Sequence, residues 1–337
     1  MRYISLKLTF KSEAEIFFPL NPVNTFRGAM GYALRHISCI QRKSDDKYAC
    51  NTCKLAKNCA YALCYETNIS HLKIEFEKFK SFEIPHLMNI DSGFPGNTVV
   101  KAGESYSFNV RLLGNAVTVA PYIIVAAQNA ALKGIRGAKA ELESIVDEFS
   151  GRLIWSKKSE NLVLPEIEDF TIQEPNWKNT ENCELKLNLV TPVAFKNIQT
   201  GRITREPDFN RIIGSLMRRY TFFEASEGRK LNWHFTEISE LAKQVKISGM
   251  NIETVCWERY STRQNQRIPV SGVIGTVNYI GPVAGFEELL NAGEILRCGR
   301  SITLGQGRIN VARIRHLSNR DHFDAFCPQN NFEQIPN

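Results

Sequence analysis

The sequence predicts an α+β protein built from two tandem ferredoxin-like (RRM-like) βαββαβ domains. Three observations carry this prediction. Apolar periodicity in the first half reads strand, helix, strand, strand, helix, strand; the second half repeats the plan; and a stretch rich in charge, Pro and Asn separates them. The expected boundaries are a first domain over 1–160 with a cysteine-rich insertion at 39–64, a linker over 161–182, a second domain over 183–316 and a polar tail over 317–337. A chain of 337 residues is long enough for two medium cores.

Taken in order, Tyr3 to Thr9 alternates as a strand, and a helix starts near Asn24 or Thr25, either of which would cap it. Phe26, Met30, Ala33 and Ile37 share one face of that helix, which leaves Arg27, Tyr32, Arg35 and His36 outside the apolar stripe. Strands are expected over His71 to Phe82 and Ser105 to Leu113, a helix over Val117 to Leu132, and a closing strand over Gly151 to Ser156. In the second half the pattern gives a strand over Glu184 to Val190 and a helix over Asp208 to Tyr220. Strands follow around Asn251 to Arg259 and Gly272 to Ile280, then a short helix ending near Ala292, and strands on either side of a glycine-rich loop.

Apolar content of 43% and charged content of 23% are those of a globular chain. No apolar run reaches the roughly 20 residues of a spanning helix, and the N-terminus alternates rather than reading as a signal peptide, so the expectation is a cytoplasmic protein without a membrane. A net charge of +7 fits an anionic partner. Nine cysteines, an odd number, fit thiols or metal ligands better than a disulfide framework.

Five of those cysteines, Cys39, Cys50, Cys53, Cys59 and Cys64, place a C-x-x-C beside further thiols. That spacing suits a closed tetrahedral zinc held by Cys39, Cys50, Cys53 and Cys59, with Cys64 as a substitute, and such a zinc would be structural. The alternative is a set of reduced thiols packed as small apolar residues. Cys183, Cys256, Cys298 and Cys327 are isolated and read as core or incidental.

Between Glu294 and Ile309, Gly299, Gly305 and Gly307 are interleaved with Arg297, Arg300 and Arg308. Glycines permit positive φ and close backbone approach, and guanidinium groups match phosphate oxygens, so the loop is expected to contact phosphate; a hairpin with solvated arginines is the alternative. A dinucleotide fingerprint does not fit, because the elements around the glycines come in the wrong order. On the helix from Asp208, inward-facing Phe209, Ile212, Ile213 and Leu216 would leave Arg211, Ser215 and Arg218 exposed with Arg219 on the flank, a basic face able to follow a nucleic-acid backbone. The run from Trp257 through Arg259 and Tyr260 to Arg267 adds aromatic and arginine side chains that stack on bases.

The segments Gly272 to Gly281, Glu288 to Glu294 and Cys298 to Arg308 resemble the C-terminal signature of CRISPR-associated pre-crRNA processing endoribonucleases. These are the sixth Cas family, within the repeat-associated mysterious protein (RAMP) superfamily. Thr191-Pro192-Val193 with Asp208-Phe209 is similar to the start of the family's second domain, and Phe26 to Arg35 with Cys50, Cys53 and Cys59 resembles its variant carrying a cysteine cluster. The resemblance implies a metal-independent endoribonuclease that cuts CRISPR repeat RNA in precursor transcripts, alone or with CRISPR effector subunits, leaving a 2′,3′-cyclic phosphate and a 5′-hydroxyl.

Such cleavage needs a base, an acid and cations around the phosphorane. By its place on the first helix, the resemblance assigns His36 as base, Tyr32 as orienter or proton donor and Arg35 as phosphate stabiliser, with His71 as the rival base. A non-catalytic RNA-binding RAMP subunit, which would bind the repeat without cutting, and a metal-dependent nuclease are the competing functions.

Overall fold

The computed structural model describes residues 1–40, 50–66, 84–159, 161–196, 203–261 and 266–317. In the first half the elements are β1 (Arg2–Ser12), β2 (Ile16–Phe18), α1 (Pro22–Ser38), α2 (Ala60–Tyr65), β3 (Met88–Ser92), β4 (Thr98–Val100), β5 (Ser105–Leu113), α3 (Ala120–Lys133), β6 (Ala140–Asp147), β7 (Leu153–Ser156) and β8 (Glu168–Asp169). The main sheet runs β3-β5-β1-β6-β7, all antiparallel, with β8 beside the start of β1. Strands β1, β3, β5 and β6 with helices α1 and α3 form the expected βαββαβ unit.

Alternation in β1 sends Ile4, Leu6, Leu8 and Phe10 into the core, each 2% exposed or less. Phe26 of α1 stacks face to face on Phe108 of β5, with centroids 4.1 Å apart. Helix α1 begins earlier than the pattern indicated. Its cap is Asn21, whose side chain accepts from the Asn24 amide at 3.0 Å, and Pro22 occupies the first turn, where its missing N–H costs nothing.

Three assignments in this domain change. The expected strand His71 to Phe82 lies outside the described residues. The second strand of the unit is β3, and the fourth is β6 rather than the Gly151–Ser156 segment, which supplies the outer strand β7. The run Gly114–Lys133, 20 residues, is also long and apolar enough to cross a membrane, contrary to the sequence count; half of it is buried here, where α3 packs on α1.

The second half contains β9 (Cys183–Val193), β10 (Phe195–Lys196), β11 (Ile203–Thr204), α4 (Phe209–Ser226), α5 (Phe235–Gln244), β12 (Lys246–Ser261), β13 (Gln266–Gly281), α6 (Glu287–Asn291), α7 (Gly293–Leu296) and β14 (Ile309–His316). The sheet order β12-β13-β9-β14 repeats that of the first domain. Two short helices, α6 and α7, stand where the second helix of the unit belongs. The glycine loop therefore follows a helical turn rather than a strand. Leu185, Leu187 and Leu189 of β9 share a buried core with Phe209, Ile212, Ile213 and Leu216 of α4.

The two domains are tied at several points. The Met1 amino group pairs with Glu224 at 2.6 Å, Asn21 donates to the Leu304 carbonyl at 2.9 Å, and Asn89 donates to the Ile295 carbonyl at 3.0 Å.

Candidate functional site

The glycine loop forms the centre of the domain junction. Gly307 has φ +82°, and a Cβ there would stand 2.1 Å from the Cys298 carbonyl oxygen; Gly305 packs its backbone against Val23 and the Ile90 carbonyl of the first domain. The loop amides are spent inside the protein: Gly299 donates to Ser215 Oγ at 2.9 Å, Arg300 to the Ala194 carbonyl at 2.9 Å, Gly307 to the Pro192 carbonyl at 3.0 Å and Arg308 to Thr191 Oγ1 at 2.9 Å.

Arg297, expected to meet phosphate, is fully buried and bonds Asp91 of β3. Asp91 also accepts from Arg111 at 2.8 Å, and Arg111, fully buried, bonds Glu148 through two further contacts. Burial would raise the Asp91 carboxyl, but Arg297 and then Arg111 overcome it and hold the group below its ordinary range. Burial likewise lowers the proton affinity of Arg297, with Asp91 opposing. Arg308 is a quarter exposed and pairs with Glu294. The loop is thus an electrostatic clamp across the junction, and its remaining outward cation is Arg300, half-buried.

Helix α4 also differs from the expected basic face. Ser215 is buried and accepts from the loop. Arg219, 3% exposed, donates to the Leu296 carbonyl and lies over the Phe223 ring, so it holds the loop instead of flanking solvent. Arg211, partly exposed, pairs with Asp208 at 2.8 Å, and Arg218 is partly exposed. Asp91, Arg111 and Glu148, which organise the junction, were missed by the sequence reading. A lone acidic residue in Met88–Ser92 was their only local signal.

At the end of α1, Tyr32, Arg35 and His36 are all exposed. Lys133 places its ammonium 4.2 Å from the Tyr32 ring centroid, and Arg35 lies 5.8 Å from that of Tyr61. His71 lies outside the described residues. Cys39, Cys50, Cys53 and Cys59 line one cavity of about 20 Å³ together with Arg35 and Tyr61, room for a single small occupant. Burial, then Glu66, then Cys59 and Cys39 push the Cys50 thiol up to about 11, the repulsion that a dication among thiolates removes. Their thiols are of the type that binds zinc, but they are not among the described groups whose ligand atoms lie within 4.8 Å of one another, and Cys64 is buried outside the cavity lining.

Among the described residues, the ligand atoms that do lie within 4.8 Å of one another are those of Glu181, Cys183 and His316. Cys183, read from sequence as isolated, has its sulfur 3.6 Å from His316 Nδ1, which also meets Glu181 at 2.8 Å.

Two ferredoxin-like domains are locked together through the glycine loop. Residues 187–309 match the family model of the CRISPR-associated endoribonuclease Cas6. A second model, described as an N-terminal domain, matches residues 1–167. Among solved structures, a Thermus thermophilus Cas6 (TTHB231) in a product complex aligns with a TM-score of 0.53 at 13% identity, covering 92% of this chain and 99% of that one. A second Cas6 product complex (TTHA0078) gives a TM-score of 0.51 at 13% identity, over 93% of this chain and 100% of that one. A chain of a partial Cas6-RT-Cas1--Cas2 complex gives 0.51 at 15% identity, over 94% of this chain but 46% of that one. At these identities the likeness is one of fold. No curated protein matches the sequence.

Proposed function

We propose that this protein cuts CRISPR repeat RNA in precursor transcripts in the cytoplasm to release guide RNAs, with no metal ion at the reacting phosphate. The ribose 2′-hydroxyl attacks the adjacent phosphorus and the 5′-oxygen leaves, giving a 2′,3′-cyclic phosphate and a 5′-hydroxyl. The observation that carries this reading is the match of residues 187–309 to the Cas6 endoribonuclease model, supported by a fold shared over nearly the whole length of a Cas6 solved with its product. Repeat RNA is the partner. The Cas6-RT-Cas1--Cas2 assembly supports association with other CRISPR proteins.

Arg211, Arg218 and Arg300, which keep exposed surface, are the RNA contacts we assign, with Arg308 at the rim of the clamp. Cys39, Cys50, Cys53 and Cys59 would hold a structural zinc that pins the segment after α1.

The test is incubation of the protein with labelled repeat RNA from its own locus, in chelator, beside an RNA carrying a 2′-deoxy residue at the cut site. One cut in the first RNA and none in the second is the expected result. Binding without a cut would make the protein a non-catalytic RNA-binding subunit, and activity restored only by divalent ions would make it a metal-dependent nuclease.

A further inference from the structure

Strands β9 and β14 hold the glycine loop at one end and a cluster of three chemically different metal-binding side chains at the other. Near the loop, the Val190 amide donates to the Arg308 carbonyl at 2.9 Å. At the far end Cys183 opens β9 and His316 closes β14, and the two are cross-strand partners. Glu181 stands two residues before Cys183, in a turn fixed by its own amide, which donates to Asn179 Oδ1 at 2.9 Å. The Leu317 amide donates to the Asn182 carbonyl at 3.2 Å and closes the strand pair beyond the cluster.

We propose that Glu181, Cys183 and His316 form an exchangeable site for a zinc-like divalent cation, a clasp across the ends of β9 and β14. Metal binding here does not depend on the endoribonuclease reading, and the cation takes no part at the reacting phosphate. On binding, the Cys183 thiol gives its proton to solvent, and the imidazole offers the Nδ1 lone pair while its proton sits on Nε2. Thiolate and carboxylate then balance the charge of the dication.

The distances fit such an ion. Zinc bonded to sulfur at about 2.3 Å and to nitrogen at about 2.0 Å, at a tetrahedral angle, separates the two ligand atoms by about 3.5 Å. Cys183 Sγ and His316 Nδ1 lie 3.6 Å apart. Nitrogen and carboxylate oxygen on one zinc stand about 3.3 Å apart. The present hydrogen-bonded separation of Glu181 and His316 is 2.8 Å, and the Glu181 side chain, 50% exposed, is free to make that adjustment. One thiolate with one imidazole and one carboxylate selects zinc-like ions over magnesium or calcium, which take oxygen ligands.

The same geometry makes the site exchangeable. Three protein ligands leave the fourth tetrahedral position to water, and the His316 side chain is 61% exposed, so the cation enters and leaves through solvent. An acidic cavity of about 310 Å³, lined by Glu174, Glu287, Glu288 and the same Asn179 that holds Glu181, lies beside the cluster and favours cations around it. A clasp adds what the strand ends lack. The exposed Glu181–His316 pair alone contributes little, and a register shift between Val311 and Arg313 interrupts the ladder between the glycine loop and the end of β14.

The experiment titrates cobalt(II) into chelator-washed Cys50→Ser, Cys53→Ser protein, which lacks the competing thiols after α1, and records the absorption spectrum. One equivalent per chain is expected to give a sulfur-to-cobalt charge-transfer band with the visible bands of a four-coordinate ion; zinc should displace it and magnesium should not. Cys183→Ser should abolish the charge-transfer band, and His316→Ala and Glu181→Gln should each weaken cobalt binding by about 10-fold or more. Added zinc should raise the melting temperature of the parent and leave that of His316→Ala unmoved. His316→Ala removes an exposed side chain, so it keeps the test decisive if Cys183→Ser fails to fold. If the Cys50→Ser, Cys53→Ser protein itself fails to fold, the wild type and its His316→Ala variant are compared, and loss of one cobalt equivalent is the reading. Absence of the charge-transfer band, a band that survives Cys183→Ser, or cobalt affinity unchanged in His316→Ala would overturn the site.

Discussion

Replacing Asp91 with Asn should destabilise the protein severely, because the carboxylate is shared by two guanidinium groups that have no solvent. Arg111 and Arg297 are both fully buried, and each bonds Asp91. Asn keeps the shape and removes the charge. Arg111 retains Glu148, whereas the other hydrogen bond of Arg297 is to the Gln306 carbonyl at 3.5 Å. Breaking a buried pair from one side costs about 3–5 kcal/mol, because the orphaned charge stays in a medium that solvates it poorly. Urea denaturation followed by circular dichroism measures the loss. The double variant Asp91→Asn, Arg297→Met removes both partners, and its cost should fall below the sum of the single changes by roughly 1–3 kcal/mol. An Asp91→Asn protein within about 1 kcal/mol of wild type, or strictly additive variants, would refute the clamp.

Gly307→Ala should cost about 2 kcal/mol or more, since its Cβ would collide with the Cys298 carbonyl at a φ of +82°. Gly28→Ala, in α1 with nothing within 4 Å, should instead stabilise by about 0.5–1 kcal/mol; thermal melts compare the two. Purified protein should carry one zinc per chain by elemental analysis, and the double change Cys50→Ser, Cys53→Ser should abolish it and lower the melting temperature. The depressed pKa of His86 gives stability that is present above about pH 6.5 and lost as pH falls towards about 4, up to about 3 kcal/mol. His86→Gln should flatten that part of the stability–pH curve.

How much was legible in the sequence depended on what each element faces. Strands β1 and β5 and the stripe on α1 could be read because they press an apolar face on one core. Strand β3 was hard to read: Met88–Ser92 alternates over only five residues, and its polar members Asn89 and Asp91 are buried through contacts to the other domain that no local pattern reveals. Strand β6 was hidden for a different reason, since the register shifts against both β1 and β7 break its period. Arg297 lies among glycines and locally reads as a phosphate donor; its actual partner is 206 residues away, beyond any local pattern. That Cys39, Cys50, Cys53 and Cys59 come together around one cavity was legible because their spacing is short. His86 carried no local signal, because the charges that act on it, Arg27 and Arg219, come from α1 and α4.

The end groups of the RNA product test the account most directly. Mass spectrometry of repeat RNA incubated with the protein in chelator should find a 2′,3′-cyclic phosphate on the upstream fragment and a 5′-hydroxyl on the downstream one. A 5′-phosphate and a 3′-hydroxyl, appearing only when divalent metal is supplied, would contradict it.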